Sequence, residues 1–110
     1  MKPREEGDAA YLDDILTSCS LIVSRVESRL LPDFVSNLEL QDSILHRLII
    51  IGEASKKVSE HTKKKFPELN WRDIARLRDL SVHRYWKVDA LKIWKIVQED
   101  VPQLLEILAP

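Results

Sequence analysis

The stretch RLRDLSVHRYW, residues 76–86, sets Arg78, Asp79, His83 and Tyr85 within eight positions of one another. These types have complementary chemistry. A guanidinium presents parallel N–H donors to a phosphate. An imidazole exchanges a proton near neutral pH. A carboxylate four residues before that imidazole can orient it and favour its protonated form. Together they are the parts of a metal-free ribonuclease. RNA cleavage by attack of the 2′-hydroxyl profits from both a base and an acid, and this segment offers one histidine. A second copy of the chain across a two-fold axis would supply the other. Each residue also has an ordinary reading: Arg78 as a structural ion-pair partner, His83 as a surface or capping residue, and Tyr85 as a packing residue.

The spacing predicts a helix over residues 71–83. On a wheel of roughly 100° per residue, Trp71, Ile74, Ala75, Ser81 and Val82 share one arc, with Arg78 in its middle. An arginine there must either reach out past its neighbours or be held between packed surfaces by a partner, because an unpaired buried guanidinium is costly. Asp79 and His83 fall on an adjacent face. The backbone is expected to leave the helix over residues 84–88, because Asp89 must cap the next helix; Tyr85 then sits on an exposed rim.

Three other helices must hold this one. Leu12, Ile15, Leu16, Cys19, Val23, Val26 and Leu30 recur at helical spacing, with Asp8 as N-cap and a stop near Leu31 and Pro32. A short helical turn near Asp33 leads to Asn37, which caps a helix over residues 38–64. That helix carries two apolar stripes, Ile44, Leu48, Ile51 and Val58 beside Leu45, Ile49 and Gly52. One stripe packs within the domain. The other calls for a second surface, either another helix of the same chain or a second protomer brought close at Gly52. In the last helix Leu91, Trp94, Val97, Val101, Leu104, Leu105 and Leu108 line one face, and Pro102 should kink it or reset its backbone bonding. The expected fold is all-α, an antiparallel bundle of four main helices plus a short one, in a single domain over residues 1–110.

Composition agrees. Hydrophobic residues make up 45% of the chain and charged residues 32%, with only 2 glycines. The net charge of −1 provides no global attraction for nucleic acid, so phosphate contact would come from a local patch. Two are available: KKVSEHTKKK, residues 56–65, and the segment 76–86. A lysine-rich helix end is ordinarily solvated and favourable to the helix dipole. The single Cys19, the absence of a signal-like apolar core in MKPREEGDAA and the short aliphatic runs point to a soluble cytoplasmic protein without a membrane partner. His46, His61 and His83 are not at zinc-ligand spacing, so no metal or other cofactor is expected.

Arg78-Asp79-x-x-x-His83 resembles the R-x4–6-H signature of the HEPN superfamily, and with Tyr85 it is similar to the R-x4-H-x-Y form of the HepT-like toxins. The flanks IIGEASKKVSE (residues 50–60), FPELNWRDIARLRDLSVHRYW (66–86) and VDALKIWKIVQEDVPQLLEIL (88–108) extend the likeness over almost the whole chain. The resemblance implies a HEPN-like helical homodimer whose signature residues meet in a shared cleft. It also implies metal-independent endoribonuclease activity on RNA (tRNA or mRNA), as the toxin of a type VII toxin–antitoxin pair. The implied partner is a cognate minimal nucleotidyltransferase that silences the toxin by transferring AMP from ATP to Tyr85. His83 would then be the general acid/base, Arg78 the phosphate clamp and Asp79, where many relatives have Asn, the residue that orients His83. His46 and Arg47 lie where relatives often have an arginine and are candidates to line the cleft. The competing reading is a HEPN module without meaningful activity that serves as partner or scaffold for a nucleotidyltransferase.

Overall fold

The computed structural model describes residues 3–80 and 90–110. These are helical almost throughout, and no strand occurs among them. In order they form α1 (Pro3–Val26), α2 (Leu31–Ser36), α3 (Leu38–Lys57), α4 (Glu60–Lys63), α5 (Trp71–Ala75), α6 (Ala90–Lys95) and α7 (Val101–Leu108). A 3-10 turn, Arg76–Asp79, continues α5, and a π turn, Ile96–Asp100, joins α6 to α7. The all-α expectation holds. None of the described helices is long and apolar enough to cross a membrane.

Helices α1 and α3 form the spine. Ile15, Cys19 and Ile22 of α1 meet Ile44, Leu48 and Ile51 of α3, all fully buried. The two run antiparallel: α2 links the end of α1 to the start of α3, while Asp8 near the start of α1 binds Ser59 beyond the end of α3. Phe34 plugs one end, fully buried and 5.2 Å from the Trp94 ring centroid. Burial of such a ring stabilises by about 1.5–3 kcal/mol. Val97, Val101, Leu104 and Leu108 close the remaining side of the core. Leu91, expected on that face, is instead exposed.

Several helix ends differ from the sequence expectation, each for a local reason. α1 stops at Val26 rather than at Pro32, because Ser28 adopts a left-handed conformation, φ 64°. Pro32 then serves in the first turn of α2, where its missing N–H costs nothing. Asn37 caps α3 as expected, accepting from the Leu40 N–H at 3.0 Å.

The helix expected over residues 38–64 is two helices. Val58 is extended, and Ser59 caps the single turn of α4. Asp8, expected to cap α1, lies within it and holds this break. Its carboxylate accepts from the Ser59 N–H at 2.9 Å, the Ser59 hydroxyl at 2.6 Å and the Thr62 hydroxyl at 2.5 Å. Burial pushes the Asp8 carboxyl upward, but hydrogen bonds from Ser59 and Thr62, aided by the charge of His61, outweigh it. The net result is a carboxyl below its ordinary range.

At Pro102 the backbone bonding is reset, as one of the two expectations had it. The proline sits in the first turn of α7 directly after the π turn, in which the Val101 N–H bonds the Ile96 carbonyl five residues back. The wider turn absorbs the bond that proline cannot make.

Candidate active-site turn

The segment that carries Arg78 begins with a cap. Asn70 accepts from the Asp73 N–H at 3.1 Å and starts α5. After one turn the helix tightens into the 3-10 turn, and Leu80 leaves it in an extended conformation, φ −64° and ψ 146°. Expected to run to His83, this helix therefore ends with Asp79. The 3-10 period of three places Ile74, Leu77 and Leu80 in one row, and all three pack partly buried against the core.

That row corrects the wheel. Leu77, not Arg78, points inward, and Arg78 keeps 43% of its side chain exposed. The helical i, i+4 relation expected between Asp79 and His83 does not pass through the extended Leu80. His83 and Tyr85 themselves, with Asp89 as a cap, lie outside the described residues.

What fixes Arg78 is backbone packing. Gly52 of α3 is buried beneath the turn, and a Cβ there would lie 2.9 Å from the Leu77 carbonyl carbon and 3.0 Å from the Arg78 Cα, with the Arg78 nitrogen closer still. Only glycine permits this approach. The close contact anticipated at Gly52 is thus made with this chain's own 3-10 turn.

The Arg78 Nε lies 3.7 Å from Asp79 Oδ1, with Asp79 73% exposed. At that distance and exposure the pair is a loose, solvent-screened attraction and not a hydrogen bond. It leaves the guanidinium free to turn toward a phosphate, and its carboxylate lowers the local positive potential. Arg76 and Asp73 make a similar exposed pair at 3.8 Å.

The other candidates stand elsewhere on α3. His46 is exposed, roughly 120° around the helix from Gly52, and Arg47 is roughly 140° away. Arg47 is half-buried, and its enclosed Nε has no hydrogen-bond partner among the described residues. Neither shares the face that holds the turn. Cys19 is sealed in the core, where burial pushes its thiol up to about 12.

Residues 15–110 match the family model "Ribonuclease HepT-like", and the chain belongs to that family. It is 39% identical over 94 residues to "Probable ribonuclease HepT" of Thermococcus cleftensis, covering 86% of each chain. It is 34% identical over 95 residues to "Putative RNase MJ1380" of Methanocaldococcus jannaschii, covering 86% of this chain and 87% of the other. No solved structure matches it at a significant level.

Proposed function

We propose that this protein is a metal-independent endoribonuclease, the toxin of a type VII toxin–antitoxin pair, working as a homodimer. The observation that carries the reading is the family match together with Arg78, held by its backbone on Gly52 with its guanidinium at the surface. Arg78 clamps the scissile phosphate and offsets the charge that grows on it in the transition state. His83 of one protomer takes the proton of the 2′-hydroxyl as its oxygen attacks the adjacent phosphorus. His83 of the second protomer gives a proton to the departing 5′-oxygen. The P–O5′ bond breaks as the P–O2′ bond forms, leaving a 2′,3′-cyclic phosphate and a 5′-hydroxyl.

Asp79 orients His83 in this scheme, and Tyr85 is the position that a nucleotidyltransferase antitoxin adenylylates. A bulky anionic AMP there repels RNA phosphate and blocks the cleft. The test is incubation of the purified protein with tRNA or total RNA in the presence of a chelator. Wild type should cleave and His83→Ala should not. Equal outcomes for the two proteins would refute the assignment and leave a binding module for a nucleotidyltransferase as the reading to pursue.

A further inference from the structure

The net charge of −1 conceals a strong separation along the fold. From Lys56 to Arg78 the chain carries eight basic residues against three acids, Glu60, Glu68 and Asp73, a surplus of five. The remainder of the chain therefore carries −6.

The fold brings part of this tract toward the turn that bears Arg78, while Lys57 lies over the Tyr11 ring of α1. Lys56 follows Gly52 by four residues, on the face of α3 that receives the turn bearing Arg78. The break at Val58 and the cap at Ser59 redirect the chain, so that Lys63, Lys64 and Lys65 come off a separate single turn rather than spreading around a longer α3. Lys63 holds its ammonium 5.9 Å from the Trp71 ring centroid, which ties α4 to the first residue of α5. From there α5 and its 3-10 extension run about 12 Å to Arg78. Lys56, Lys64, Lys65 and Arg72 are exposed and make no ion pair among the described residues.

We infer that this tract is an anchoring surface for the phosphate backbone of RNA, separate from the reacting groups and leading to Arg78. The inference rests on the ribonuclease reading and adds to it the means by which an overall acidic chain holds a polyanion. RNA is favoured over an acidic protein because the tract lacks what a protein interface needs. Protein interfaces centre on apolar and aromatic anchors and are depleted in lysine. Among the described residues the exposed large apolar ones are Leu30, Val35, Leu38 and Leu91, none of them in the tract. Mobile ammonium groups without an apolar centre suit a backbone whose charges repeat regardless of sequence.

The experiment compares wild type with Lys56→Ala/Lys64→Ala/Lys65→Ala, by fluorescence anisotropy on a 2′-O-methyl oligoribonucleotide, which cannot be cleaved through its 2′ position. The variant should bind tenfold or more weakly, with a slope of log affinity against log salt shallower by about 2, as expected for three lost single-strand phosphate contacts. The corresponding lysine-to-arginine triple variant should bind like wild type, which separates charge from folding. Unchanged affinity and salt slope in the alanine variant would overturn the inference. So would intact RNA binding with lost association to a nucleotidyltransferase, which would assign the tract to a protein partner. Failure of wild type to cleave unmodified RNA while the anisotropy result holds would remove the ribonuclease reading and leave the anchoring surface standing.

Discussion

Replacing Gly52 with alanine adds one methyl group at the contact that positions Arg78. In a helix interior Ala is favoured over Gly by about 1 kcal/mol, so propensity alone predicts a more stable protein. The added Cβ, however, would meet the Leu77 carbonyl carbon at 2.9 Å and the Arg78 backbone at 3.0 Å or less. These neighbours are backbone atoms that cannot rotate aside, so the overpacking cost falls at or above the top of the usual range of about 1–3 kcal/mol. The net expectation is a loss of about 2 kcal/mol or more, or a melting temperature lower by about 8 °C or more for a domain of this size. Cleavage should fall further than stability, since displacing a catalytic group by about 1 Å can cost about a hundredfold. Thermal melting followed by circular dichroism, with RNA cleavage measured well below the melting point, makes the test. A variant as stable and as active as wild type would refute the packing argument. Dissociation of a dimer with unchanged protomer stability would reassign the Gly52 face to a second copy.

Asp8→Asn should cost about 1–3 kcal/mol by weakening charge-assisted hydrogen bonds to Ser59 and Thr62, as measured by urea denaturation at neutral pH. The folded carboxyl lies below its unfolded value of 3.8, so its contribution is present above that value and is lost as pH falls through the folded one; the variant should lack this acid-side loss. Phe34→Ala should cost about 3–5 kcal/mol and alter Trp94 fluorescence. Native Cys19 should resist thiol reagents at pH 8 and react once urea unfolds the chain. Asp79→Asn should tighten RNA binding by removing the carboxylate beside Arg78; if Asp79 also orients His83, the pH profile of cleavage shifts as well, and no change in either would refute both roles.

What could be read from residues alone was whatever depended on near neighbours. Asn37 caps α3 because its side chain reaches an N–H three residues on. The row Ile44, Leu48 and Ile51 is buried because helical period alone puts it on one face. Asp8 was legible as a capping residue but not for the helix it serves, since its partners are 51 and 54 residues away. The split of α3 at Val58 follows from that distant carboxylate, so no local pattern announced it. Ile22, fully buried, lies outside the first-helix stripe that the spacing of Cys19 and Val26 marks. The wheel misplaced Arg78 because it assumed 100° per residue across a segment that winds at about 120°. Gly52 was marked as a place of close approach, but its spacing could not distinguish another protomer from the turn lying on it.

On the ribonuclease reading, the arrangement of charge also bears on catalysis. Exposed charges act over a screening length of about 8 Å at physiological ionic strength, so the basic tract works by contact rather than by long-range capture. Among the described residues Lys63, Lys64, Lys65 and Arg72 make no ion pair, whereas Arg78 at the end of the tract has Asp79 at 3.7 Å. Backbone phosphates away from the reaction are then held more strongly than the one being cleaved. Binding energy spent on distant phosphates positions the strand without deepening the ground state at the scissile bond. Arg78, only loosely paired with Asp79 at rest, is free to strengthen its grip as charge accumulates in the transition state, which is where added interaction raises the rate.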